Sequence, residues 1–437
     1  MSRAARTYSQ ISRFASATPE QWADWRWHVR HALDTPEALA EVIDLTADER
    51  DGYAATRAAF RMAIPPYYAA LMDPREPACP VRMMAVPRSA EALVMPDELR
   101  DPLGEDAHMP VPHLVHRYPD RALLLVNNMC SMYCRFCTRK RLTGEENEAI
   151  SRVELARAVD YLRAHPHIRD VLVSGGDPLV MGDRRLGEIL GTLRAVPTVE
   201  VVRIGTRMPV VLPMRITREL VEVLRAYAPL WVMTHFNHPK ELTPEALGAL
   251  AMLVDAGVPV ANQAVLLRGV NSSARLVKDL FQRLTRARVH AYYLHQCDLA
   301  QGIEPFRTPL ALGLDILRAM RGQTSGYVVP HFALDLPRGG GKITLSPDYT
   351  LGAPGEAFAR THAPHTIRFS NWAGEVYDYP DIGPVDCACA YEDKWYAQTP
   401  GPAMDLAPPG RTALRPPLLD APVALTRLSA SRARGAS

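Results

Sequence analysis

The sequence has little that would tie the protein to a membrane, to nucleic acid or to an oxidising compartment. Its 50 basic and 48 acidic residues leave a formal net charge of +2, which gives no basis for a nucleic-acid or membrane-surface partner. No apolar run is long enough to span a bilayer, and Met1-Ser-Arg-Ala-Ala-Arg is followed by no apolar core of a secretory leader. We therefore expect a cytoplasmic protein without membrane or nucleic-acid partners.

Cysteine is also scarce, with seven in 437 residues, yet three fall in one short segment. Cys130, Cys134 and Cys137 follow an apolar run at 121–126 in a CxxxCxxC spacing. A disulfide framework would need an oxidising compartment, and a structural zinc site would want four ligands. Three thiolates leave one iron of a 4Fe–4S cluster without a protein ligand, whereas ordinary clusters take four. The amino and carboxylate groups of S-adenosylmethionine can chelate that iron, so the segment predicts a radical S-adenosylmethionine enzyme.

From about residue 120, short β-branched runs alternate with amphipathic helical patterns. Six such units predict an α/β fold, most simply an incomplete (β/α)6 barrel of TIM type with a helical N-terminal extension and a C-terminal segment. The predicted strands are Ala122–Val126, Asp170–Ser174, Val199–Ile204, Leu230–Thr234, Val258–Leu266 and Val289–Leu294.

The composition also predicts four regions along the chain. A helical N-terminal region covers residues 1–110, and the partial barrel covers residues 111–345. We assign residues 346–397 to a C-terminal segment used in subunit association. Residues 398–437 are rich in Pro, Ala and Arg, have few aromatics and show no periodicity, which predicts a disordered tail.

Polar signatures follow the predicted strands, where a barrel of this type builds its active site. They begin at Asn127, Ser174, Thr234 and His295, and Gln263 lies within the fifth strand. Because the carboxyl ends of parallel strands meet at one end of a barrel, we expect these side chains to share a cavity.

A glycine-rich segment near residue 340 is the second strong motif. Asp335-Leu-Pro-Arg is followed by three glycines and Lys342. Glycines let the backbone approach a ligand closely, and a lysine carried inward can form a Schiff base with pyridoxal 5′-phosphate. The spacing does not match a nucleotide-binding P-loop.

Together these motifs resemble the lysine 2,3-aminomutase family, which includes arginine 2,3-aminomutase. The resemblance covers about residues 20–395 and includes the cluster loop, the lysine segment, His116 to Arg121 and Gln296-Cys-Asp298-Leu. It implies an isomerase that moves the α-amino group of a basic L-amino acid to the β-carbon. It also implies three cofactors, namely a 4Fe–4S cluster, S-adenosylmethionine and pyridoxal 5′-phosphate.

The resemblance assigns roles to individual residues. The cluster would be bound by Cys130, Cys134 and Cys137, and Lys342 would hold pyridoxal phosphate with Arg117 and Arg121 near its phosphate. The S-adenosylmethionine pocket would be lined by Gly175, Gly176, Asp177, His235 and Gln263. The substrate carboxylate would bind Arg139, and its distal cation would bind Asp298 and Asp335.

The two aspartates favour a cationic substrate, because two carboxylates in one cavity repel each other unless a cation lies between them. L-Lysine, giving β-lysine, is the first expectation and L-arginine the second, whereas glutamate would bring a third carboxylate. Asp298 or Asp335 could instead form a structural ion pair with Arg307 or Arg338. The chain departs from the lysine-enzyme pattern at Met233, His295, Ala300-Gln301 and Arg338.

The chain also departs from the family pattern at the cysteines of a zinc site. The family pattern has an interfacial zinc site built from a CxCxxC segment and a remote cysteine, but here only Cys387 and Cys389 remain and Ser273 takes the remote position. We therefore expect zinc to be absent or partly bound. A homo-oligomer and an electron donor such as flavodoxin or ferredoxin are also expected. Two alternative functions for the chain are a radical enzyme that modifies a macromolecule and a non-catalytic iron–sulfur sensor.

Overall fold

A nine-stranded sheet frames the protein in the computed structural model, which describes residues 6–143, 148–351 and 365–381. The strands follow chain order, the seven from β2 to β8 run parallel, and β1 and β9 are antiparallel additions at the two edges. They are β1 Leu114–Tyr118, β2 Arg121–Leu125, β3 Asp170–Ser174, β4 Val201–Gly205, β5 Leu230–Thr234, β6 Val260–Leu266, β7 His290–Gln296, β8 His331–Leu336 and β9 Gly341–Leu345.

Helices connect each parallel strand to the next and bury one apolar stripe against the sheet. In the connection from β6 to β7, for example, Val277, Leu280, Phe281 and Leu284 are buried at helical spacing. Ser151 opens the first of these helices with a capping box, since its side chain accepts from the Glu154 amide. The connecting helices, numbered after six in the N-terminal region, are α7 Arg152–Ala164, α8 Asp183–Arg194, α9 Met208–Val211, α10 Arg218–Ala226, α11 Pro244–Asp255, α12 Ala274–Arg286 and α13 Leu310–Met320.

The predicted incomplete barrel is confirmed, and all six predicted strands correspond to β2 through β7. The prediction stopped one parallel strand short, because β8 pairs with β7 and extends the barrel. Lys342 was expected on a glycine-rich loop, but it lies in β9, directly opposite Asp335 of β8. The antiparallel return thus brings the two residues together by strand register.

The N-terminal region contains six short helices in its described part. They are α1 Pro19–Ala23, α2 Trp25–Arg30, α3 Pro36–Ala40, α4 Ala47–Thr56, α5 Pro66–Ala70 and α6 Pro80–Met83. Tyr68 of α5 is fully buried and donates its hydroxyl to Glu241, in the connection after β5, at 2.8 Å. This region therefore contacts the end of the barrel at which the parallel strands finish.

The described C-terminal part is a hairpin of β10 His365–Ser370 and β11 Val376–Asp381. Phe369 pairs with Thr350 on the segment that follows β9. Much of the segment predicted at 346–397, the tail predicted at 398–437, and the residues Cys387 and Cys389 lie outside the described residues. None of the described helices is both long and apolar enough to cross a membrane.

Candidate active site

Every residue predicted to bind a cofactor, metal or substrate lines one cavity of about 640 Å³. Residues from successive strands and from the loops after them form its wall. A larger groove of about 1020 Å³ lies between α7, α8 and α10 and contains none of the predicted residues. We take the smaller cavity as the candidate active site because the chemically distinctive side chains converge there.

The three cysteines enter this cavity from the loop after β2. Burial raises the pKa of Cys130 well above its usual value and also raises the pKa of Cys137, and the nearby Cys134 adds to both effects. Arg207 Nη1 donates a hydrogen bond to Cys134 Sγ at 2.9 Å. Desolvated thiols of this kind stay protonated unless a metal replaces the proton, so their chemistry fits cluster ligation.

No three His, Cys, Asp or Glu side chains of the described residues form a site for a single metal ion. A 4Fe–4S cluster distributes its cysteine ligands over separate iron atoms. The cysteine triplet therefore has to be judged against a cluster rather than against one ion.

The glycine turn after β3 lies directly against the start of the cluster loop. Gly176 N donates to Asn127 O, and Asp177 N donates to Met129 O, both at 2.7 Å. A Cβ on Gly175 would lie 2.2 Å from Asn127 O, and one on Gly176 would lie 2.1 Å from Met129 O. Glycine is required at both positions because two backbones meet there.

The Asp177 carboxylate is committed to the chain's own donors. It accepts from Thr206 Oγ1 at 2.7 Å, from the Arg207 amide at 2.7 Å and from the Leu179 amide at 3.0 Å. Burial nevertheless raises the pKa of Asp177. The side chain therefore joins the glycine turn to the connection after β4.

His235 presents an unsatisfied atom to the candidate site. Its Nε2 is buried and has no hydrogen-bond partner among the described residues, although His235 lines the cavity together with Gln263. Burial lowers the pKa of His235 well below its usual value, and Arg207 adds to this effect. A neutral imidazole with a free ring nitrogen can hydrogen-bond a polar ligand, which fits the predicted S-adenosylmethionine pocket.

Lys342 of β9 lies opposite Asp335 of β8, and its side-chain amine has polar partners. Its amine donates to the Asp335 carboxylate and lies 3.2 Å from His295 Nδ1. Burial lowers the pKa of His295 well below its usual value, with Lys342 contributing, so the neutral ring can accept from the ammonium. The Tyr293 ring lies 5.3 Å from the same amine. The amine is accessible from the cavity, as attachment of a coenzyme aldehyde requires.

Cationic side chains line the cavity beside Lys342. Arg117 lies 3.7 Å from Asp335 Oδ1 and donates to the Tyr118 hydroxyl at 3.1 Å. The Arg121 guanidinium lies 3.9 Å from the centre of the Tyr118 ring. Arg203 of β4 also lines the cavity and donates to Asp170 at 2.8 Å. Arginine clusters of this kind suit a phosphate group.

The two predicted substrate aspartates are in different environments. Asp335 contacts Lys342 and Arg117, whereas the Asp298 carboxylate forms no hydrogen bond or ion pair with any described residue. Burial raises the pKa of Asp298 to about 7, and the Asp335 charge adds to the shift. The alternative ion pair with Arg307 is not formed, since Arg307 binds Asp97 at 2.7 Å.

Arg139 is held by a residue that the sequence did not single out. Its Nε and Nη2 donate to Glu105 at 2.9 and 2.8 Å, and its Nη1 lies 3.4 Å from Ser174 Oγ. The Glu105 side chain is only 5% exposed. This bidentate pair holds one edge of the guanidinium and leaves the other for a carboxylate.

The polar residues that line the cavity without a role predicted from sequence include Glu105, Arg203, Arg207 and Tyr293. Arg203 could have been found, because it interrupts an apolar strand. Glu105 carried no signal, since it lies in an ordinary acidic turn.

Two family models match the chain. The model described as Lysine-2,3-aminomutase covers residues 317–380, and that of the Radical SAM superfamily covers residues 124–280.

Curated relatives extend the match over most of the chain. L-lysine 2,3-aminomutase of Clostridium subterminale is 50% identical over 77% of this chain and 81% of the relative. The enzyme of the same name from Fusobacterium nucleatum is 46% identical over 84% of each chain. Glutamate 2,3-aminomutase of Clostridioides difficile is 37% identical over 86% of this chain and 87% of the relative. The chain therefore belongs to the lysine 2,3-aminomutase family of radical S-adenosylmethionine enzymes, isomerases that use a 4Fe–4S cluster, S-adenosylmethionine and pyridoxal 5′-phosphate.

Proposed function

We propose that the protein is an L-lysine 2,3-aminomutase that moves the α-amino group of L-lysine to the β-carbon and releases β-lysine. The observation that carries this proposal is the single cavity shared by three cysteines, Lys342 and two aspartates. A hydrogen-abstracting radical and a coenzyme-bound amino acid must meet in one enclosed space, where water and side reactions are excluded.

On this proposal the chain divides its cofactor contacts between two sides of the cavity. Cys130, Cys134 and Cys137 hold the cluster, and Gly175, Gly176, Asp177, His235 and Gln263 line the S-adenosylmethionine pocket. Lys342 holds pyridoxal phosphate, with Arg117 and Arg121 beside its phosphate. When bound, the cluster and S-adenosylmethionine supply the radical, and pyridoxal phosphate supplies the π-system that makes nitrogen migration accessible.

The substrate is oriented by opposite charges at its two ends. Arg139 binds the α-carboxylate by the edge that Glu105 leaves open. Asp298 and Asp335 bind the distal ammonium, and this disfavours glutamate because a third carboxylate would face two others.

L-Arginine is the alternative substrate, since its guanidinium also carries one positive charge. Met233 and His295, two departures from the lysine-enzyme pattern, both line the cavity and could reshape it for the longer, planar group. We also propose that the enzyme is a cytoplasmic homo-oligomer and that a flavodoxin or ferredoxin reduces its cluster.

Anaerobic assay of the reconstituted enzyme tests the substrate. The enzyme is incubated with dithionite, S-adenosylmethionine and either L-lysine or L-arginine, and the β-isomer is measured by chromatography. We expect β-lysine as the faster product. Faster β-arginine formation would select the alternative, and S-adenosylmethionine cleavage without either product would contradict both.

Lys342→Ala tests the coenzyme role separately. The variant should lose the absorption band of lysine-bound pyridoxal phosphate while keeping its iron content. Lys278→Ala is the matched control, because Lys278 lies on α12 outside the cavity. Retention of the band in Lys342→Ala would refute the assignment.

A further inference from the structure

Arg207 is a buried arginine that donates one hydrogen bond to the cluster loop. The residue follows β4 and is 7% exposed. Its Nη1 donates to Cys134 Sγ at 2.9 Å, and its Nε donates to the His235 carbonyl at 3.3 Å. A charged donor this close to a thiolate forms a charge-assisted hydrogen bond, which is stronger than a neutral one.

The same guanidinium is anchored on its other side. Its Nη2 donates to Glu241 Oε1 at 2.7 Å and to the Tyr68 hydroxyl at 3.3 Å. Glu241 is fully buried, and its second oxygen accepts from the Asn237 amide at 2.7 Å. The position of Arg207 is therefore set by the fold, and its charge is partly balanced by one carboxylate.

We propose that Arg207 sets the reduction potential of the cluster through its hydrogen bond and positive charge at Cys134. This inference rests on the proposed ligation of the cluster by Cys134. The 2+ cluster accepts one electron from dithionite, or in the cell from flavodoxin or ferredoxin, and becomes 1+ with no bond broken. Net charge and hydrogen bonds to ligand sulfurs are among the factors that set such potentials. A positive group at the sulfur stabilises the added electron and raises the potential.

Substitutions on the two sides of Arg207 should shift the potential in opposite directions. Arg207→Met removes the charge and the hydrogen bond, so the midpoint potential should become more negative. Glu241→Gln keeps an acceptor oxygen but removes the balancing charge, so the potential should become more positive. A general loosening of the fold would move both variants the same way.

The test is a redox titration of the reconstituted enzyme followed by electron paramagnetic resonance, without substrate. Arg215→Lys is the control. Arg215 is a fully buried arginine that also follows β4, but it donates to Leu179, Met181 and Asp183 and not to a cysteine. Its potential should equal that of the unmodified enzyme. An unchanged or raised potential in Arg207→Met overturns the proposal.

Three further outcomes are informative. If Arg207→Met binds no iron, the Glu241→Gln shift decides, and a shift to more negative potential overturns the proposal. Loss of the cluster in both variants, with the control loaded, shows that Arg207 serves cluster assembly and likewise overturns it. A cluster with the expected shifts in an enzyme that forms no β-isomer would contradict only the proposed isomerase substrate.

Discussion

Substrate binding should depend on the protonation of Asp298. Burial and the neighbouring Asp335 raise the pKa of the Asp298 carboxyl to about 7, although Lys342 and Arg139 oppose the shift. Near neutrality about half of the free enzyme therefore carries a neutral group at this position. A substrate ammonium needs the ionised form, so affinity for lysine should rise as the pH rises through about 7.

The size of the effect follows from the fraction of ionised Asp298. At about pH 6 roughly one carboxyl in ten is ionised, which costs about tenfold in affinity, or about 1.4 kcal/mol. The side-chain amine of lysine has a pKa of about 10.4 and stays charged over this range. Above about pH 8 the dependence on Asp298 should level off.

The contribution of Asp298 to folding has the opposite sign. Its pKa in the native state is raised, so the native state holds a proton that the unfolded chain has already lost. That contribution to the free energy of unfolding is present at low pH and is lost as the pH rises through about 7. Affinity and stability should therefore change in opposite directions across the same window.

Equilibrium binding measured by calorimetry, with all cofactors present but no reductant, separates binding from turnover. Asp298→Asn should weaken lysine binding by about 2–4 kcal/mol, which corresponds to roughly 30- to 700-fold, and should remove the slope near pH 7. L-Norleucine, which lacks the distal ammonium, is the matched ligand and should show no such slope. An identical slope in Asp298→Asn, or a flat profile in the unmodified enzyme, would refute this reasoning.

Three further predictions concern two backbone positions, Gly176 and Arg338, and the partner of Arg139. Gly176→Ala should lower the free energy of unfolding by about 1–3 kcal/mol, measured by chemical denaturation, because its Cβ would meet a backbone oxygen at 2.1 Å; an unchanged midpoint would contradict the contact. Glu105→Ala should raise the KM for lysine about tenfold, since Arg139 loses the carboxylate that accepts from its Nε and Nη2, and an unchanged KM would show that Arg139 needs no anchor. Arg338→Gly should stabilise the fold by about 0.5–1 kcal/mol in thermal unfolding, because Arg338 has a φ of 57°; destabilisation would indicate a contact that compensates for the strain.

The barrel was predictable because its signals are local. The strands β2 to β7 are short, largely apolar runs, and several of the helices between them have a start signal, such as Ser151 before α7. The polar clusters after these strands could be placed at one end from topology alone. The missed strand β8 reads His-Phe-Ala-Leu-Asp-Leu between two prolines, and its continuation into a glycine motif made a loop the simpler interpretation.

Partners across the cavity could not be predicted, because they depend on which chain segments meet in space. Glu105 and Arg139 are 34 residues apart, and Arg207 and Cys134 are 73 apart. Neither Glu105 nor Arg207 stands out in its own segment of the sequence. The sequence identifies the groups that carry unusual chemistry, whereas the groups that hold them in place become visible only through tertiary contacts.

The register of β8 and β9 gives the two aspartates different tasks. Asp335 faces Lys342 across the strand pair and binds its amine, so it is already committed when Lys342 is free of the coenzyme. Asp298 comes from the loop after β7 and has no such partner among the described residues. Since an uncommitted, buried carboxylate gains most from an incoming cation, Asp298 is the residue expected to select a basic substrate. Asp335 can also neutralise Lys342 each time substrate displaces it, so its charge serves both the freed lysine and the distal ammonium that it binds together with Asp298.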